Sequence, residues 1–107
     1  MAQIDKTSHN SIKQLEKLSG RKLTLGLFLL TIRECEEATQ KDFAAKLGIS
    51  RQYLCDIEND RRNISLEKAI LFAKKTGYSK DQMVRLALQD IVNKAGLNYE
   101  VDIKKAA

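Results

Sequence analysis

Residues 39–60 read TQKDFAAKLGISRQYLCDIEND, and two short helices are written into them. The first is predicted over Gln40–Leu47. Thr39 stands before it as an N-cap whose side-chain oxygen accepts a first-turn N–H, and Asp42 puts a negative charge in that turn, where the helix dipole favours it. Gly48 supplies the left-handed residue that ends it. Ser50 caps a second helix over Arg51–Asn59. Ala44, midway along the first helix, is small enough for the second to cross closely. Leu47, Ile49, Leu54 and Ile57 fall on a shared apolar seam. Two helices joined by a three- to four-residue turn at about 90–120° form a helix-turn-helix.

The second helix is free to project its polar N-terminal residues, Arg51, Gln52 and Tyr53, with Asp56 one turn later. An α-helix fits the DNA major groove. There Arg pairs bidentately with guanine, Gln with adenine, and Asp accepts from the cytosine amino group. Arg61, Arg62 and Asn63 follow in a polar loop, placed to hold phosphates. Each of these residues also has a plainer reading, as a solvated side chain or, for Tyr53, as packing on the neighbouring helix. The coincidence of types and positions favours the nucleic-acid reading.

Outward from this stretch the chain continues to read as helix. Proline is absent, and four of the five glycines fall where elements end. Leu25, Phe28, Leu29, Ile32 and Cys35 recur at three- and four-residue steps, an amphipathic stripe that predicts a helix from about Thr24 to Glu37. Ser65 caps a helix running to Lys75, with Leu66, Ala69, Ile70 and Ala73 inward. Ser79 and Gln82 have the spacing of a capping box for a helix over Lys80–Ala95, closed by Gly96. Upstream, Ile12, Leu15 and Leu18 mark a short, marginal helix over Ser11–Leu18. The tail alternates, with Tyr99, Val101 and Ile103 apolar between polar neighbours, the pattern of a strand. The fold class is therefore all-α: a five- to six-helix bundle, with a short C-terminal strand as an option. Residues 1–20 read as an N-terminal extension, 21–96 as the helix-turn-helix domain and 97–107 as a tail able to add a strand across a dimer.

Composition removes other classes. The chain has 107 residues, 43% of them hydrophobic and 31% charged, the balance of one globular domain. Its uninterrupted apolar runs, such as Leu27–Leu30 and Ala69–Ala73, are far short of the ~20 residues that span a bilayer. The opening MAQIDKTSHNS lacks the apolar core of a signal peptide, so a cytoplasmic location is expected. The two cysteines cannot make a disulfide framework; Cys35 continues an apolar stripe and Cys55 reads as a space-filler. Without a CxxC, and with His9 as the lone histidine, no metal site is expected. No cofactor box is visible. A cysteine nucleophile would need a base that the interior does not supply, so the chain is not expected to be an enzyme. The net charge of +5 suits a nucleic-acid partner but also an ordinary surface.

The stretch 39–60 closely resembles the helix-turn-helix of the Xre/Cro/phage-repressor family, at Gln40, Ala44, Gly48, Ile49, Ser50, Leu54, Ile57, Glu58 and Asn59. The likeness extends over about residues 23–90 and implies the phage-repressor type of helical bundle. It implies that Gln40 contacts a phosphate, that Arg51, Gln52 and Asp56 face base edges, and that Arg33 forms an inward salt bridge with Glu58. Ser50, Tyr53, Asn59, Arg61, Arg62 and Asn63 complete the expected DNA-binding set. Two positions depart from the pattern: Asp56 stands where Lys, Arg, Asn or Gln is frequent, and Asp60 where Gly is. Asp60 is tolerable because Asp enters left-handed conformations more readily than most residues.

The function expected is a sequence-specific transcriptional regulator, a repressor binding a palindromic operator in double-stranded DNA as a homodimer. The apolar residues of Lys80–Ala95 cover more than half of that helix, more than one small core can cover. Met83, Leu86, Ala87 and Ile91, with Val101 of the tail, are therefore expected at a dimer interface; folding-back of residues 1–20 is the competing cover. The alternative function is an antitoxin or interaction module whose scaffold mainly binds a protein such as a toxin.

Overall fold

Every helix in the described part of the chain, residues 22–106 of the computed structural model, starts on a hydroxyl side chain. The five are α1 (Leu25–Cys35), α2 (Gln40–Leu47), α3 (Arg51–Glu58), α4 (Leu66–Thr76) and α5 (Lys80–Lys94). Thr24, Thr39, Ser50, Ser65 and Ser79 each accept a hydrogen bond from the backbone N–H three residues on. Each thereby satisfies one of the N–H groups that a helix start leaves without an intrahelical partner. The ends are equally local. Gly48 and Gly77 close α2 and α4 at φ 76° and 78°. Non-glycine residues take the left-handed region after α1 (Glu37, φ 55°) and after α3 (Asp60, φ 58°). Because Glu37 turns the chain there, α1 stops at Cys35, two residues before the expected end.

The fold is all-α, with five helices and no strand among the described residues. The helix expected over Ser11–Leu18 lies outside them. Phe28, Phe43 and Phe72 sit at the centre of the core with Leu25, Leu29, Ile32, Leu47, Leu54, Ile57, Met83 and Leu86. Tyr78 meets Phe28 edge to face, ring centroids 6.1 Å apart. α4 packs along α5 and against α2, while α1 packs against α3 and α5. Across the α2–α3 turn, Ile49 N–H donates to the Ala44 carbonyl at 3.0 Å. Ala44 itself is buried, so the small side chain lies where the two helices close on each other.

Two expectations about the C-terminal part are corrected. Within the single chain the tail makes no strand. Its polar backbone is instead met by the buried side chain of Gln89 on α5, which donates to the Tyr99 carbonyl and accepts from Val101 N–H, both at 2.8 Å. One carboxamide thus offers the tail the donor and acceptor that a neighbouring strand would. Met83, Leu86 and Ala87 do not face outward either. They are 0–2% exposed in a single chain, because α5 is covered by the domain's own core on that side. Of the five residues expected at a dimer interface, Ile91 is exposed and Val101 half-buried.

Candidate nucleic-acid interface

The start of α3 is set on a ladder of side chains that begins in the core. Arg33 of α1 donates from Nε to Glu58 Oε2 at 2.7 Å and from Nη2 to Oε1 at 3.2 Å, a bidentate pair. Its third contact, Nη1 to the Ala38 carbonyl at 3.0 Å, fixes the α1–α2 connection. Glu58 is buried, and its carboxylate holds the Arg33 guanidinium above its already high pKa. The same carboxylate accepts from Gln40 Nε2 at 2.8 Å. Gln40 Oε1 in turn faces Arg51 Nη1 at 3.4 Å. Arg33, Glu58, Gln40 and Arg51 therefore form one chain of contacts, from the interior to the first residue of α3. The Gln40 side chain is engaged at both ends.

Arg51 and Gln52 are exposed, and Tyr53 and Asp56 are half-buried. Ser50 Oγ accepts from Tyr53 N–H at 3.0 Å, so its own hydroxyl hydrogen can point away from the protein. The Tyr53 ring carries two cations: Arg62 Cζ at 4.6 Å and Lys68 Nζ at 4.5 Å from its centroid. Stacking of this kind attracts a cation to the face of an aromatic ring. Lys68 was not among the expected site residues. Its signal in the sequence is slight: a cation three residues after the Ser65 cap, which the fold turns toward an aromatic residue of α3.

Asp56 collects the remaining donors. Its Oδ1 accepts from Gln52 Nε2 at 3.1 Å and from Arg61 Nε and Nη2, both at 3.3 Å. Its Oδ2 lies 3.9 Å from Arg62 Nε. Asn59 turns back and donates from Nδ2 to the Cys55 carbonyl at 2.8 Å, so this exposed amide caps the end of α3. Asn63 is exposed beside the two arginines. Arg51 thus stands at the start of α3 beside Gln40, Arg62 and Lys68 lie on the Tyr53 ring, and Arg61 lies on Asp56. Among the described residues no group of His, Cys, Asp or Glu could hold a metal ion, and no helix is long and apolar enough to cross a membrane.

A short helix with exposed base-reading residue types, crossing a second helix and flanked by cations, defines a DNA-binding helix-turn-helix protein. Residues 36–83 match the family HTH_3, described as Helix-turn-helix, a match that takes in both α2 and α3 and supports the Xre/Cro/phage-repressor resemblance. No curated protein and no solved structure gives a significant match to the chain.

Proposed function

We propose that the protein is a transcriptional repressor that binds a palindromic operator as a homodimer, reading bases with α3. The observation that carries this reading is the exposed start of α3, where Arg51 and Gln52 are open to solvent and the next residue, Tyr53, carries Arg62 and Lys68 on its ring. Arg51 and Gln52 are the base readers, matched to guanine and adenine. Ser50, Tyr53, Arg61, Arg62, Asn63 and Lys68 face phosphates and sugars, with Gln40 adding a contact at the start of α2. Asn59 acts by ending α3. In a two-fold dimer, paired α3 helices about 34 Å apart enter successive major grooves on one face of the duplex. Exposed Ile91, Leu97 and Tyr99 at the end of α5 and in the tail support a dimer contact there.

A gel shift with the DNA upstream of the protein's own gene tests the proposal. A discrete complex that survives excess random competitor is the expected result; a complex lost equally to any competitor contradicts it. The antitoxin reading is supported by a separate feature of α4: Leu66 and Ile70, which the sequence pattern placed inward, are exposed together with Leu71. Stable co-purification with the product of an adjacent gene, without any operator complex, would favour it.

A further inference from the structure

Asp56 is the one acidic side chain on the outer face of α3, and a lone carboxylate there is repelled by the phosphates of any duplex. The structure shows what it does in the free protein. Oδ1 holds Gln52 and both Nε and Nη2 of Arg61, and Oδ2 lies near Arg62 Nε. The carboxyl group is only 23% exposed, against 58% and 54% for the two arginines, so the cations fold over it. Two cations suited to phosphates and one glutamine suited to a base are thus drawn to a single internal anion.

We propose that Asp56 is a specificity-determining residue, which restrains Arg61, Arg62 and Gln52 and yields them fully only where a cytosine amino group takes their place on its carboxylate. This rests on the DNA-binding reading and deepens it. On random DNA a phosphate must compete with Asp56 for each arginine, and the carboxylate is left facing the duplex without a donor. On a site with cytosine opposite Asp56, the exocyclic amine offers the carboxylate one N–H in place of the lost donors, its other hydrogen being held by the paired guanine. The arginines then move to phosphates, and Gln52 is released to its own base. Phosphate contacts alone carry no sequence information. Coupling them to the occupancy of one carboxylate makes part of that electrostatic attraction depend on sequence.

The test uses the full chain and Asp56→Asn, titrated against a 30-base-pair random duplex, which needs no knowledge of the operator (a length of about three helical turns). The exposed pairs predict about three- to tenfold tighter binding of random DNA by the variant. The slope of log affinity against log salt should steepen by about 0.9 for each additional phosphate engaged. In an Arg61→Ala/Arg62→Ala background the gain from Asp56→Asn should shrink to the repulsion of the carboxylate alone. Selection from a randomised duplex library adds a second readout. Wild type should recover a fixed cytosine that Asp56→Asn does not require. Unchanged random-DNA affinity and slope, or a gain undiminished without the two arginines, overturns the restraint. Failure of the wild-type chain to bind or enrich any duplex overturns the DNA-binding reading with it, so the two failures are distinct. A urea midpoint for the variant close to wild type shows that the helix is intact.

Discussion

Glu58 joins the recognition helix to the rest of the domain, and its partners set the cost of changing it. Glu58→Gln keeps the shape but removes the charge that Arg33 and Gln40 face. Removing one partner of a buried pair leaves the other charge uncompensated, so a loss of about 2–4 kcal/mol in a urea titration is expected. An unchanged midpoint would mean that the pair is not formed. Gly26 makes a second residue-scale case. A Cβ there would fall on the Ile57 carbonyl and within 2.7 Å of Asp60 Oδ1. Ala in a helix ordinarily gains about 1 kcal/mol over Gly; here overpacking against α3 predicts a loss of about 1–3 kcal/mol instead. The sign of that change is the readout. Neither effect was legible from spacing. The Arg33–Glu58 expectation came from resemblance, and Gly26 was the glycine that marked no element end. Sequence separation hides a close approach, because the approach depends on how α1 crosses α3.

At the scale of elements, α1 and α5 meet around one carboxylate. Asp90 of α5 accepts from Leu25 N–H at the start of α1 through Oδ2 at 3.1 Å. Its Oδ1 is buried without a hydrogen-bond partner among the described residues. Burial, and secondarily the negative Asp60, push its pKa up to about 6, against the lowering pull of Leu25 N–H and Lys94. A carboxyl whose folded pKa lies above its unfolded value binds its proton more tightly when folded. Its ionisation therefore costs stability as pH rises through the interval from about 4 to about 6. Asp90→Asn keeps an acceptor for Leu25 without that ionisation. Stability measured at several pH values should show the variant gaining on wild type as pH rises from about 4 to about 7. A constant difference would contradict it. The helices themselves were readable, because each has a hydroxyl cap and most have a glycine or an Asp at the turn beyond. The tail forms no strand within the single chain for a physical reason. Alternation reports which side chains face inward, but not what pairs with the backbone, and Gln89 does so in place of a strand.

At the scale of the whole molecule, the arrangement of α2 and α3 was legible, whereas the outer face of α5 was not. Counting apolar residues around α5 could not tell which the domain would bury for itself, and Met83, Leu86 and Ala87 went to its core. The proposed dimer now rests on Ile91, with Leu97 and Tyr99 nearby in sequence. Sedimentation should show a dimer at tens of micromolar for wild type, and Ile91→Glu should shift it to monomer with little change in Tm, since that side chain is exposed in the single chain. A wild-type monomer at that concentration would refute the contact.

The central claim is that α3 reads bases while the surrounding cations hold the backbone. It is tested most directly by anisotropy titrations of wild type, Arg51→Ala, Gln52→Ala and Arg62→Ala against a selected operator duplex and its shuffled counterpart. Arg51→Ala and Gln52→Ala should each lose about 1–3 kcal/mol on the operator and little on the shuffled duplex, whereas Arg62→Ala should weaken both alike. Equal losses on the two duplexes for Arg51→Ala and Gln52→Ala would contradict base reading by α3.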